Sequence, residues 1–257
     1  DAQVFQADLS DKGIVKAVNG WVSDNTKKLI PSIIDKPFEK GSAALLINAL
    51  YLKNTWLSKF DPNSTGKRTF THADGKSQKI DFLNDGYTGF DYIKGDGVQG
   101  VVLPYDDGRL GFAALLPDGD LDSWLSGLTG EHLSALVTGA EDTYFLDLGL
   151  PKFEQEWNGQ LGDALKAMGL DRAFVPGLAD FSALGDNPEG YFISQVIQAT
   201  KIAVNEEGTE AAAATIVEAC GAGMPPEDGV RLVFDRPFLY GIVDLQTGLP
   251  LFLGTFE

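Results

Sequence analysis

Val204–Pro226 reads VNEEGTEAAAATIVEACGAGMPP. It begins as the end of a strand, meets Gly208, and runs through Thr209 and Glu210 into four alanines, Ala211–Ala214. Local physics allows two readings. One is a helix: Thr209 suits an N-cap, Glu210 a first turn, and alanine is the strongest helix former. The other is a mobile loop able to become a strand. Alternation then places Thr209, Ala211, Ala213 and Thr215 on one face, and Glu210, Ala212 and Ala214 on the other. The first set is small and uncharged, so it fits the interior of a packed sheet. Gly208 would be the pivot, because glycine accepts backbone angles that other residues resist. Periodicity alone does not choose between the two.

Bulk properties exclude several function classes. The chain has 257 residues, 44% of them hydrophobic, enough for a sizeable core in one or two domains. Its formal charge is −17, from 37 acidic against 20 basic residues. That argues against nucleic acid, an anionic membrane or a heparin-type polyanion as partner. No apolar run approaches a membrane span, and no signal peptide is visible at the start. The single cysteine, Cys220, forms no intrachain disulfide and leaves the compartment open.

Catalytic and cofactor signals are weak. His72 and His132 lie far apart among polar residues, so they read as surface histidines rather than metal ligands. Lys94–Gly100, KGDGVQG, contains a literal GxGxxG. A dinucleotide site needs a helix directly after such glycines, and the next residues, VVLPYDD, read as a strand and a turn. The run is therefore a hairpin connection. There is no GxSxG elbow and no triad context, and the neighbours of Cys220 supply neither base nor positive charge. The expectation is no enzyme, no metal and no cofactor. Asn63-Ser64-Thr65 fits a glycosylation acceptor, a common triplet that decides nothing here.

Along the chain, Asp1–Leu9 alternates weakly at Val4 and Phe5 and reads as a short strand. Ser10 is the expected cap of a helix with apolar positions Ile14, Val15, Val18, Trp21 and Val22, closing near Asn25-Thr26. The apolar run Ser42–Trp56 is a buried helix or a buried central strand by pattern alone. Phe60–Asn84 reads as polar strands turning at Asp74-Gly75. Strands follow at Gly89–Ile93, Val98–Leu103 and Leu110–Leu116, and two short helices within Leu121–Ala140. Then come a strand at Thr143–Phe153, a helix at Asn158–Met168 closed by Gly169, and a long strand at Tyr191–Glu206. Val230–Phe234, Phe238–Asp244 and Leu249–Phe256 are the last strands. Strands dominate and helices are segregated, which is the α+β class with antiparallel or mixed sheets.

The stretch EEGTEAAAAT, Glu206–Thr215, resembles the proximal hinge of the reactive-centre loop in inhibitory serpins, a family of serine protease inhibitors. Further stretches resemble serpin signatures in the expected order: NALYLKNTW (Asn48–Trp56), KFDPNST (Lys59–Thr65), LPKF (Leu150–Phe153), LGDALKAMGLDRAF (Leu161–Phe174), ADFS (Ala179–Ser182), DRPFLYGIVD (Asp235–Asp244) and PLFLGTFE (Pro250–Glu257). The resemblance covers nearly the whole chain, and it resolves Ser42–Trp56 as the strand bordering the loop-insertion slot. It implies a single serpin domain over 1–257 with a large mixed sheet, a receptive slot, smaller sheets and surrounding helices. It leaves a prokaryotic source open.

Two departures stand out. The family's N-terminal helices, with a strand of each of two sheets, have no counterpart in this sequence. A histidine common in the strand before the hinge is matched here by Gln198, expected to hydrogen-bond to Asn48 on the neighbouring strand. Asn48, Gln198 and Trp56 mark the region where the sheet would open.

By resemblance, residues 206–228 form the bait loop. Its hinge is Glu206, Glu207, Gly208, Thr209, Glu210, Ala211, Ala212, Ala213, Ala214 and Thr215. The family's spacing puts the reactive bond at Ala222–Gly223, with Cys220 and Met224 left open because loop lengths vary. A serine protease would cleave there and be trapped as a covalent complex when the hinge inserts into the large sheet. A small residue at the cut suits an elastase-like or subtilisin-like enzyme. The competing reading is a serpin-fold protein without inhibitory function, a carrier, chaperone or inactive truncated product. Small hinge residues argue for inhibition and the absent N-terminal part against it. An extracellular, secreted location is the family's usual one.

Overall fold

The computed structural model describes residues 3–39, 44–86, 88–184, 190–209 and 229–257. In chain order the elements are α1 (Gly13–Asn25), β1 (Ala44–Tyr51), β2 (Asn54–Thr55), β3 (Gly66–Thr71), β4 (Ser77–Asp85), β5 (Thr88–Gly95), β6 (Val98–Pro104) and β7 (Leu110–Pro117). They continue with α2 (Leu121–Gly127), α3 (Gly130–Thr138), β8 (Glu141–Pro151), β9 (Phe153–Gln160) and α4 (Gly162–Ala167). The last are β10 (Ile193–Asn205), β11 (Gly208–Thr209), β12 (Val230–Val233), β13 (Phe238–Asp244) and β14 (Pro250–Phe256). They fall into two compact units, Asp1–Leu52 with Glu154–Ile202, and Lys53–Phe153 with Ala203–Glu257.

In the first unit the helical stripe forms as its spacing requires. Ile14, Val18 and Val22 are buried on one face of α1. They pack with Ile30, Ile33 and the β10 residues Ile197 and Ala199, flanked by Leu45, Ile47 and Ala49 of β1. Odd-numbered residues of both strands thus face the helix, and Leu46 and Asn48 on the other face are exposed. β1 and β10 run parallel, paired from Ala44↔Ile193 to Tyr51↔Lys201. β10 also pairs with β9. The Ser42–Trp56 run is therefore strand, interrupted between β1 and β2.

Three expectations fail in this unit. Residues 3–8 form no strand, and Val4 and Phe5 are exposed. No described strand lies beside them, and an unpaired strand has no ladder to hold it. Ser10 does not cap α1: its hydroxyl bonds the Asp8 carboxylate at 2.7 Å, and the helix starts at Gly13 without a side-chain cap. Asn158–Gln160 is strand, not helix. What draws it into β9 is tertiary: Lys201 of β10 pairs with Glu154 at 2.5 Å and Glu156 at 2.6 Å. These bonds, Glu154 first, raise the Lys201 ammonium to about 12. The helix shrinks to α4 and ends as expected at Gly169, whose φ of +96° lets Leu170 N–H reach back to Leu165 O at 3.0 Å.

The second unit carries a nine-stranded sheet in the order β14-β13-β7-β6-β5-β8-β4-β3, with β12 paired parallel to β8. α2 and α3 cover it through Leu121, Leu133, Leu136 and Val137, which meet Ile93, Val102, Leu115 and Leu239. Both helices are capped by side chains, Asp120 to Ser123 N–H and Thr129 to His132 N–H. Asp74-Gly75 turns the β3–β4 hairpin, and the GxGxxG run joins β5 to β6 as a hairpin, with Gly95 opposite Val98. Among the described residues no helix is long and apolar enough to cross a membrane, and no cluster of metal-ligating side chains forms.

Candidate functional site

In the second unit the chain turns back on itself at the end of β10. After Asn205 come Glu206 and Glu207, and then Gly208 and Thr209 run antiparallel to β10, with Thr209 opposite Val204 and Gly208 opposite Asn205. On its other side this two-residue strand pairs antiparallel with β2, Gly208 with Thr55 and Thr209 with Asn54. β11 is thus wedged between two neighbours from the start. The Asn205 side chain shapes the turn, its Oδ1 accepting from Glu207 N–H at 2.9 Å and Gly208 N–H at 3.3 Å.

Gly208 was expected to act as a pivot. The structure gives a stricter reason for glycine. A Cβ there would lie 2.1 Å from the Asn54 carbonyl oxygen and 2.8 Å from Thr55 Cα, at a φ of +155°. The neighbours are backbone and cannot swing aside.

Thr209 is fully buried, at 0% exposure. Its hydroxyl hydrogen-bonds with that of Tyr105, also buried. The Tyr105 ring stacks on Trp56 with centroids 4.9 Å apart and planes 6° from parallel. Trp56 holds the turn twice: its backbone N–H donates to Glu207 O at 3.0 Å and its indole N–H to Asn205 O at 2.8 Å. Phe60 N–H donates to Glu206 O at 3.0 Å. The carbonyls of the turn are therefore satisfied by residues just after β2, as buried backbone groups require.

The two glutamates before the glycine each have a cation. Lys152 Nζ lies 3.0 and 2.9 Å from the two carboxylate oxygens of Glu206, and Thr65 Oγ1 donates to the same carboxylate at 2.8 Å. Lys59 Nζ donates to Glu207 at 2.6 Å. Burial pushes the Glu206 carboxyl up, but Lys152, the residue's own backbone amide and Thr65 outweigh it and leave it below its ordinary value. Burial drives the Tyr105 phenol well above its usual range, against the pull of the Thr209 bond.

Of the sheet-opening residues, Trp56 belongs to this site. Asn48 and Gln198 lie in the first unit, directly opposite each other in the β1–β10 ladder and on the face away from α1. Asn48 is exposed, and the expected hydrogen bond between their amides is not among the side-chain bonds formed. Glu210, Ala211, Ala212, Ala213, Ala214, Thr215, Ala222 and Gly223 lie outside the described residues. Four partners of the hinge escaped sequence reasoning as individuals: Lys59, Thr65, Tyr105 and Lys152. Three of them stand inside motifs already singled out, KFDPNST and LPKF. Two lysines available to the adjacent Glu206 and Glu207 are the signal that could have found them.

Thr209 is thus held by the Tyr105 hydroxyl, and the turn before it by the Trp56 indole and two ion pairs. The family model described as Serpin (serine protease inhibitor) matches residues 1–257. The chain is a serpin. This serpin is 29% identical to the glia-derived nexin of Mus musculus over 260 residues, covering 93% of this chain and 61% of that protein. It is 32% identical to a serpin-like protein of Thermococcus kodakarensis over 244 residues, covering 93% of this chain and 55% of that one. The native-state crystal structure of a thermophilic serpin, tengpin, superposes with a TM-score of 0.87 at 33% identity, covering 96% of this chain and 63% of that one. The serpin described here thus spans about three fifths of the length of the relatives it matches.

Proposed function

We propose that this protein is an inhibitory serpin, a suicide substrate for a serine protease with a shallow primary pocket, elastase-like or subtilisin-like. The observation that carries the reading is Thr209, small, uncharged and already seated between β2 and β10. The residues that would follow it inward, Ala211, Ala213 and Thr215, are equally small.

In this reading the protease serine Oγ attacks the carbonyl carbon of Ala222. The bond to the Gly223 nitrogen breaks, the proton taken from the serine passes to that leaving amine, and an ester joins inhibitor and protease. The freed hinge then extends β11 along β10, which requires β1 to part from β10 along Leu45–Tyr51. Each inserted residue gains ladder hydrogen bonds on both sides. Trapping requires that insertion be faster than attack of water on the ester. An Ala at the cut favours a shallow pocket, whereas a trypsin-like enzyme needs Arg or Lys. The net charge of −17 weighs against a polyanionic cofactor.

Incubation with an elastase followed by a denaturing gel tests this. The expected result is a band at the summed mass that survives denaturation. Loop cleavage without that band would overturn the inhibitory reading in favour of a carrier or chaperone.

A further inference from the structure

Tyr105 belongs neither to the loop nor to the strands that insertion would part. It nevertheless meets the hinge at its first inserted residue. Trp56 fixes the residue twice: its ring stacks on the Tyr105 ring at 4.9 Å, and the two residues also form an isolated antiparallel bridge. Phe112 meets Trp56 edge-on, with centroids 5.7 Å apart. The phenol therefore has little freedom, and its hydroxyl is presented where Thr209 sits.

Both hydroxyls are buried. A buried hydroxyl left without a partner is costly, and here each satisfies the other. If Thr209 withdraws, the phenol loses the partner it has. Burial also keeps the phenol protonated well beyond neutral pH, so it remains able to donate.

We propose that Tyr105 is the positioning residue that holds the hinge seated, and that this hydroxyl pair sets how completely the loop starts insertion from a formed two-residue strand. The proposal rests on the inhibitory reading of the same loop. Insertion competes with hydrolysis of the ester. A strand already begun at Gly208–Thr209 has its nucleus in place, and the slow step of starting a new ladder is avoided. Tyr105 thereby governs the partition between trapped protease and cleaved, spent inhibitor while touching neither the protease nor the scissile bond.

The test is a double-variant cycle in the full chain: Tyr105→Phe, Thr209→Val and both together, with Thr209→Ser as the variant that keeps a hydroxyl. One readout is hydrogen exchange at the Glu207 and Gly208 amides, which the seated turn ties to Asn205. The other is the number of inhibitor molecules consumed per protease trapped. Tyr105→Phe should speed exchange at these two amides about tenfold, the scale of one lost hydrogen bond, and raise the inhibitor consumed. Thr209→Val should do the same, the double variant no more than either alone, and Thr209→Ser little. Exchange at Val101 and Leu115 in β6 and β7 should be unchanged, which separates a lost latch from a loosened fold. Unchanged exchange at Glu207 and Gly208, effects that add in the double variant, or loosening spread equally through β6 and β7 would overturn the proposal. If the unmodified chain traps no protease, the inhibitory reading falls, while the exchange cycle still decides whether the hydroxyl pair holds the hinge.

Discussion

Replacing Gly208 by alanine tests the seating of the hinge with a single methyl group. The new Cβ would stand 2.1 Å from Asn54 O, 2.8 Å from Thr55 Cα and 3.0 Å from Asn54 C. Ordinary carbon–oxygen contact begins near about 3.3 Å, so the overlap exceeds about 1 Å. Asn54 cannot retreat cheaply, since its side chain donates to Asp107 at 2.7 Å and the next carbonyl, Thr55 O, accepts from Asp106 N–H at 2.9 Å. The hinge must leave instead. What leaves with it is the Thr209–Tyr105 bond, the two amide bonds to Asn205 and the burial of Thr209. The two amide bonds share one acceptor oxygen and count as one, so at roughly 1 kcal/mol for that acceptor, about 1 kcal/mol for the Thr209–Tyr105 bond and about 1 kcal/mol for the buried methyl, the seating is worth about 3 kcal/mol. That corresponds to a loss of about 6–12 °C in melting temperature for a chain of this size. It also corresponds to about a hundredfold faster exchange at Glu207 and Gly208. Exchange by mass spectrometry on a peptide spanning residues 203–209 reads this directly. Unchanged protection in Gly208→Ala would refute the geometry on which the site rests.

Other expectations concern charge and size. Thr209→Arg brings a guanidinium to a position with no exposed surface and no carboxylate among its described contacts, so the loop should still be cut but the covalent complex should vanish from a denaturing gel. Glu206→Gln should cost about 1–2 kcal/mol at neutral pH in urea unfolding, discounted because Lys152 is 43% exposed. The Glu206 carboxyl is held below its unfolded value of 4.5, so its contribution is complete above that pH and is lost as pH falls through the lower folded value. The difference between wild type and Glu206→Gln should therefore close on acidification below about pH 4.5, and a difference that stays constant to strong acid would contradict the assignment.

The parts of this fold that were legible in sequence are those decided locally. The stripe Ile14, Val18, Val22 specified α1, Asp74-Gly75 specified a hairpin, and the glycines of Lys94–Gly100, followed by strand residues, specified another. The parts that were not legible are decided by distant partners. FEQEWNGQ has no alternating apolar face, and it is strand because β10 lies beside it and Lys201 gathers Glu154 and Glu156. Val4 and Phe5 alternate like a strand but have no strand to join. At the site, the small hinge residues and the glycine could be read directly, while the anchors of the hinge lie 54 or more residues away in the chain. Tyr105 sits in a stretch, VVLPYDD, that reads only as the end of a strand, and nothing local marks its hydroxyl as the partner of Thr209. Even Gly208 was legible only in part, because backbone freedom can be read from a sequence and the approach of Asn54 cannot.

The central claim is that the loop completes a sheet that is built to receive it. The direct measurement is the melting temperature of the full-length protein before and after a protease has cut the loop once near Ala222–Gly223. If the freed hinge extends β11 between β1 and β10, the cut chain gains a strand with ladders on both sides, and it should melt tens of degrees higher than the intact one. A cut chain that melts at the same temperature, or lower, would contradict the account.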